Sequence, residues 1–350
     1  ARCVGDWTGQ HRRGTLMTRV LVTGTAGFIG YHLVRLLLED GDIVHGYDAI
    51  TDYYDVTLKA RRNQMLLQSA GYSFTHDALE TPGVFERGAA EFAPDVIVHL
   101  AGQAGVRYSL ENPRAYLESN IVGTFNVMEA ARQIEVGHLL MASTSSVYGA
   151  NEDMPFKETD KADTQLTFYA ATKKANESMA HSYAHLWQIP TTMFRFFTVY
   201  GPWGRPDMAP YKFTKGILSG TPIDIYNHGD MYRDFTYVED LVRAIRLLMD
   251  AVPGGPETAV EGDTLTAAAP YRIVNIGNSD KVRLMDFIEA IEAETGIAAK
   301  RNYMDMQKGD VFATWADASL LRNLTGYAPK TDVREGVAKF VAWYRDYYRI

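Results

Sequence analysis

Three glycines at fixed spacing constrain this chain more than any other feature. Thr23-Gly24-Thr25-Ala26-Gly27-Phe28-Ile29-Gly30 follows a short β-type run, Val20-Leu21-Val22, and opens into an apolar helical pattern at Leu33, Leu36 and Leu37. In that setting Gly24 permits the tight turn, Gly27 lets main chain approach a pyrophosphate, and Gly30 lets helix pack closely on strand. Phe28 and Ile29 open the helix, whose N-terminus faces the phosphates. The next β-type run, Ile43 to Tyr47, ends in Asp48, 18 residues after Gly30. A carboxylate there can accept both adenosine ribose hydroxyls and repels a 2′-phosphate, so NAD is the expected cofactor. The flanking strand and helix weigh against a plain surface turn with a surface aspartate.

The alternation continues along the chain. Helices are expected over 55–69, 82–92, 114–134 and 165–187, with strands at Tyr72-Ser73-Phe74, ending near Asp77, at 95–102, at 138–142 and at 191–197. Repeated strand–helix units imply an α/β fold with a doubly wound parallel (Rossmann) sheet. Such sheets bind ligands beyond the carboxyl ends of their strands, where Gly24, Asp48, Gly102 and the hydroxyl cluster Ser143-Thr144-Ser145-Ser146 fall. Asp77, Leu100, Ala101 and Asn120 are further cofactor candidates. Past Gly201 the alternation loosens, and residues 201–350 read mainly as a smaller substrate lobe interleaved with the domain at 17–200. Segments near 237–250 and 271–276 are expected to return to that domain, 251–270 reads as an exposed loop, and helices near 283–296, 317–324 and 333–348 close the chain. Residues 1–16 lack periodicity and the apolar core of a secretory signal, and read as a leader remnant or mis-called start.

Tyr169 and Lys173 stand four apart on one helix face, so the ammonium can sit under the phenol and favour its phenolate. Tyr211 and Lys215 repeat the spacing, so the pattern alone proves little. The glycine turn and the hydroxyl cluster upstream give it meaning. The composition narrows the chemistry further. Forty-three acidic against thirty-five basic residues, a net charge of −8, argue against nucleic acid or an anionic membrane as partner. Cys3 is the one cysteine, which excludes a disulfide framework or thiolate metal site and fits a reducing, cytoplasmic compartment. His181 and His185 are four apart, but no Glu follows His181, so no metal is expected. Gly-x-Ser-x-Gly and Gly-Lys-Ser/Thr are both absent, leaving no support for a serine hydrolase or a P-loop kinase.

With glycine turn, hydroxyl cluster and Tyr-x-x-x-Lys in this order, the sequence resembles the extended short-chain dehydrogenase/reductase family from Met17 to its end. Within that family Ala104-Gly105-Val106-Arg107-Tyr108-Ser109, residues 143–149 and residues 195–208 are similar to UDP-glucuronate 4-epimerases. The resemblance implies roles. Tyr169 would be the base at the sugar O4, Lys173 would hold the nicotinamide ribose and depress the tyrosine, and Thr144 would hydrogen-bond the reacting oxygen. Sugar-nucleotide 4,6-dehydratases carry Asp-Glu where this chain has Ser145 and Ser146, and galactose epimerases carry Asn where it has Thr198. Those three hydroxyls suit a C5 carboxylate. Arg233 resembles the family's diphosphate arginine, Arg205 would assist at nucleotide or sugar, and Arg107, Lys212 and Asp310 complete the UDP-sugar candidates. The resemblance also implies a homodimer through helices 114–134 and 165–187. Three other readings compete: a decarboxylating enzyme forming UDP-xylose or a 4-keto pentose, a 4-epimerase of a neutral UDP-sugar, and an NAD-sensing binding module without catalysis.

Overall fold

The run before the glycine turn forms strand β1, Arg19–Thr23, and the residues after it helix α1, Phe28–Glu39. The computed structural model describes residues 17–350. The expected leader and Cys3 lie outside the described residues. Around β1 a seven-stranded sheet assembles from β2 (Ile43–Asp48), β3 (Tyr72–His76), β4 (Val96–His99), β5 (His138–Thr144), β6 (Thr191–Phe196) and a later strand, Tyr271–Ile276. Its order is Tyr271–Ile276, β6, β5, β4, β1, β2, β3, and every neighbouring pair runs parallel. Continuous burial along β4 and β5 explains their unbroken apolar sequences, because helices cover both faces.

One face carries α1, helix Val238–Asp250 and helix Ser319–Thr325, whose Leu33, Leu37, Leu241, Ile245 and Leu321 share a core with Val20 and Val98. The other carries α3 (Val84–Phe92), α6 (Gly123–Gln133) and α7 (Phe168–Trp187), with α2 (Val56–Leu66) beside the turn. The chain therefore leaves the sheet after Phe196 and re-enters it at Tyr271. The single helix expected over 114–134 runs on from Pro113 to Gln133 with one departure from regularity. Asn112 caps α5, Pro113–Tyr116, and a π-helical turn, Leu117–Val122, carries it into α6. Asn120 lies buried in that turn.

The second lobe has its own core of Tyr200, Phe213, Ile225, Phe235, Phe287 and Val337. It is built on small paired strands: β7 (Thr198–Tyr200) with Phe235–Tyr237, Ile223–Tyr226 with Arg301–Met304, and Tyr232–Arg233 between Val282–Arg283 and Ala313–Thr314. Because β7 follows β6 after one residue, Thr198 stands at the sheet's edge and opens the second lobe.

Candidate active site

The turn at residues 24–30 is shaped by what it leaves out. Gly24 adopts φ +79°, and a Cβ there would stand 2.8 Å from the Ala101 nitrogen. A Cβ on Gly30 would collide with the Gly24 carbonyl. The Gly27 amide donates to Gly24 O at 3.0 Å, and Ala26 N donates to Asp48 Oδ2 at 3.0 Å. Asp48 Oδ1 accepts from Ile50 N at 2.7 Å. Burial raises the Asp48 carboxyl, while these amides and Lys59 pull it down. A Cβ on Gly102 would meet Asn120 Oδ1 at 2.9 Å and Lys173 Nζ at 3.2 Å. The bare backbone, the free helix N-terminus and the carboxylate at the end of β2 fit a dinucleotide.

Beyond these strand ends opens a cavity of about 1190 Å³. Of the candidates, Gly24, Gly27, Phe28, Ile29, Gly30, Asp48, Asp77, Leu100, Ala101, Gly102, Thr144, Ser145, Ser146, Tyr169 and Lys173 line it, and so do Arg107, Thr198, Arg205, Lys212, Arg233 and Asp310. Asn120 stands directly behind that lining, its Oδ1 2.9 Å from where a Cβ on Gly102 would be. Its side chain is fully buried and its amide is spent on the fold: Oδ1 accepts from Gln103 N at 2.8 Å, and Nδ2 donates to Gln103 O at 3.0 Å and Thr172 Oγ1 at 3.1 Å. It pins the loop after β4 to the helix that bears Tyr169.

Thr167 caps α7 by accepting from Ala170 N, so Tyr169 lies in the first turn of that helix. Burial raises the Tyr169 phenol, against the pull of a Thr144 hydrogen bond and of the Arg205 charge. The Lys173 ammonium, one turn further along α7, donates to Ala142 O at 3.1 Å, and burial lowers it to about 8. Ser143, part of the hydroxyl cluster, turns away to donate to Glu177 Oε1 at 2.7 Å, and Arg195 clamps the same carboxylate at 2.9 Å. Tyr211 is likewise no second base, since its hydroxyl is bound to that of Tyr348.

On the opposite wall the arginines differ. Arg107 pairs with Asp310 at 3.0 Å and lies over the Tyr226 ring, 4.2 Å from its centroid. Arg205 forks onto Asp207 at 2.6 and 3.0 Å, and Tyr53 donates to the same carboxylate at 3.2 Å. Among the described residues Arg233 is held by main-chain carbonyls, of Tyr232 at 2.7 Å, Val311 at 2.8 Å and Phe312 at 3.2 Å. Burial lowers it, with Asp310 opposing. A guanidinium held by carbonyls keeps its charge for a ligand anion. Tyr53, Tyr116 and Asp207 escaped the sequence reading. Tyr116 packs edge-on to Tyr169, 5.9 Å between centroids, and bonds Gly105 O. An acid two residues after Arg205 and a Tyr-Tyr pair soon after Asp48 were the available signals.

Comparison with known proteins agrees with this geometry. The family described as NAD dependent epimerase/dehydratase matches residues 20–277. A probable UDP-glucuronate 4-epimerase of Rhizobium meliloti is 53% identical over 336 residues, covering 95% of this chain and 98% of that protein. UDP-glucuronate 4-epimerase 1 of Arabidopsis thaliana is 44% identical over 343 residues, 97% of this chain and 79% of its own. The solved UDP-glucuronic acid 4-epimerase of Bacillus cereus, in complex with UDP-glucuronic acid and NAD, is 30% identical with a TM-score of 0.84, covering 94% of this chain and all of that one. With its glycine turn, strand-end carboxylate and Tyr–Lys helix thus accounted for, the chain belongs to the NAD dependent epimerase/dehydratase family.

Proposed function

We propose that this chain is an NAD-dependent isomerase that interconverts UDP-glucuronate and UDP-galacturonate by epimerisation at C4, through a 4-keto sugar. The single observation that carries the reading is the convergence on one cavity of a nucleotide turn, a half-buried Tyr169 beside Thr144, and a wall of cationic side chains. NAD, when bound, supplies hydride uptake from and return to the sugar carbon. The chain's own residues do the rest. Tyr169 takes the proton of the O4 hydroxyl and returns it once the sugar presents its other face, while Thr144 aligns that oxygen. Lys173, reaching from α7 to the end of β5, holds a ribose hydroxyl. Arg233 takes the diphosphate, with Lys212 and Arg107 beside it.

Ser145, Ser146 and Thr198 supply only neutral donors near the reacting sugar, and no acid–base pair follows Thr144 to drive a dehydration. Oxidation at C4 makes a β-keto acid, which loses carbon dioxide when its carboxylate turns perpendicular to the ketone. Hydroxyl donors that fix the carboxylate oppose that loss. We place the protein in the cytoplasm, on the strength of its lone cysteine, and infer a homodimer. The dimer reading is supported by apolar side chains left exposed on the π-helical turn and the two helices, Val122, Phe125, Phe168, Leu186 and Trp187. Incubating purified protein with UDP-glucuronate and no reductant, followed by NMR, tests the function: UDP-galacturonate should accumulate to a constant ratio. A pentose product or no product would refute it.

A further inference from the structure

Arg62, on α2, is among the largest fully buried side chains of the molecule, and it belongs to neither wall of the cavity. Among the described residues no carboxylate pairs with it. Nη1 donates to Ala26 O and to Tyr54 Oη, each at 2.9 Å, and Nη2 donates to Trp203 O at 2.5 Å and faces Gly204 O at 3.5 Å. Among the described residues its Nε has no partner. A buried charge is ordinarily paired, and one spent on main-chain carbonyls marks a place where backbone position matters.

Both carbonyl groups belong to segments that flank residues lining the cavity. Ala26 sits inside the glycine turn, and its own amide holds Asp48. Trp203 is a non-glycine residue at φ +62°, a conformation that persists only where the surroundings impose it. His32 Nε2 donates to the preceding carbonyl, Pro202 O, at 2.8 Å, so three successive carbonyls are held by side chains of the nucleotide half. The Trp203 ring is wedged among Tyr31, Trp343 and Tyr347. Immediately after this fixed stretch come Arg205 and Asp207, which line the sugar side of the cavity and bond Tyr53 and the Ala104 carbonyl.

We propose that Arg62 is a positioning residue that couples the two ligand sites: a turn ordered by a dinucleotide fixes Ala26 O, Arg62 carries that order to Trp203, and the Arg205–Asp207 clamp is set for the nucleotide sugar. The proposal rests on the functional reading above. Coupling is reciprocal, so each ligand should tighten the other. The measurement is the UDP dissociation constant of NAD-free and NAD-loaded protein, by calorimetry, with UDP as probe. In the parental protein NAD should tighten UDP at least about fivefold, the low end of ordinary coupling. Arg62→Met should bring the ratio to about one, and Arg62→Lys, which keeps the charge on a single donating nitrogen, should restore part of it. An unchanged ratio in Arg62→Met, whatever its melting temperature, overturns the proposal, since a merely structural residue would lower stability and leave the ratio alone. A parental protein that binds both ligands without coupling also overturns it, while one that binds neither sinks the functional reading as well. Should the variants not fold, amide exchange on the parental protein decides: removing NAD should speed exchange across residues 203–207 roughly tenfold, the population shift that such coupling demands. No change there contradicts the inference.

Discussion

On the nucleotide wall Gly24, Gly27 and Gly30 offer main chain to a ligand, whereas on the sugar wall Arg107, Arg205 and Arg233 offer charged side chains. The first wall is rigid because backbone meets backbone: any Cβ at Gly30 strikes the Gly24 carbonyl. The second is assembled from distant segments, as in the Arg107–Asp310 pair that spans 203 residues of sequence. A wall of main chain tolerates no added atom but needs no particular side chain. A wall of ion pairs tolerates replacement of its packing but not of its charges.

That contrast can be broken by substitution. Within the two walls the largest effect is expected from Gly30→Ala, which inserts a methyl where backbone cannot move. Overpacking of this kind costs about 1–3 kcal/mol, and NAD affinity measured by calorimetry should fall roughly 5- to 150-fold. Full NAD binding by that variant would show that the turn is not the dinucleotide site. Arg233→Ala should be more selective. Losing a charged hydrogen bond costs about 1.5–3 kcal/mol, so the KM for UDP-glucuronate should rise roughly 10- to 100-fold while NAD binding stays unchanged. A comparable loss of NAD affinity would erase the distinction between the walls.

Smaller effects sharpen the picture. Thr198→Ala should leave turnover within about tenfold and raise the pentose by-product seen by NMR, since one neutral donor contributes about 1 kcal/mol. An unchanged product ratio would remove Thr198 from carboxylate control. Two sets of buried groups should also answer acid in opposite senses. Burial depresses His32 and His99 to about 3 and His138 to about 4, from an ordinary 6.5. Between those limits the unfolded chain binds more protons than the folded one, so these groups cost stability as pH falls below 6.5. Burial raises Asp234, in the second lobe, from 3.8 to about 6. There the folded chain holds the extra proton, and stability is lost as pH rises through that window. His138→Gln should therefore flatten the acid limb of the melting temperature and Asp234→Asn should steepen it, each by a few degrees. The reverse pattern would contradict these burial assignments.

The same contrast decides what could be read from the chain. The nucleotide wall is contiguous, with strand, turn, helix and next strand all within residues 19–48, so periodicity and glycine spacing carry it. The hydroxyl cluster and the Tyr169 helix share that advantage. Asn120 lies buried in a π-helical turn, Leu117–Val122, that nothing in the local sequence announces. The bond of Lys173 to Ala142 O joins residues 31 apart, so spacing along the helix cannot express it. Asp207, Tyr53 and Tyr116 owe their places to contacts across more than fifty residues, which local pattern cannot express.

The central claim is that Tyr169 moves the proton at the sugar hydroxyl, and Tyr169→Phe tests it most directly, with UDP-glucuronate turnover and NAD binding measured on the same preparation. The account predicts a loss of about 10²- to 10⁴-fold in kcat, the range of a general acid–base group, with NAD still bound. Parental turnover in that variant would contradict it.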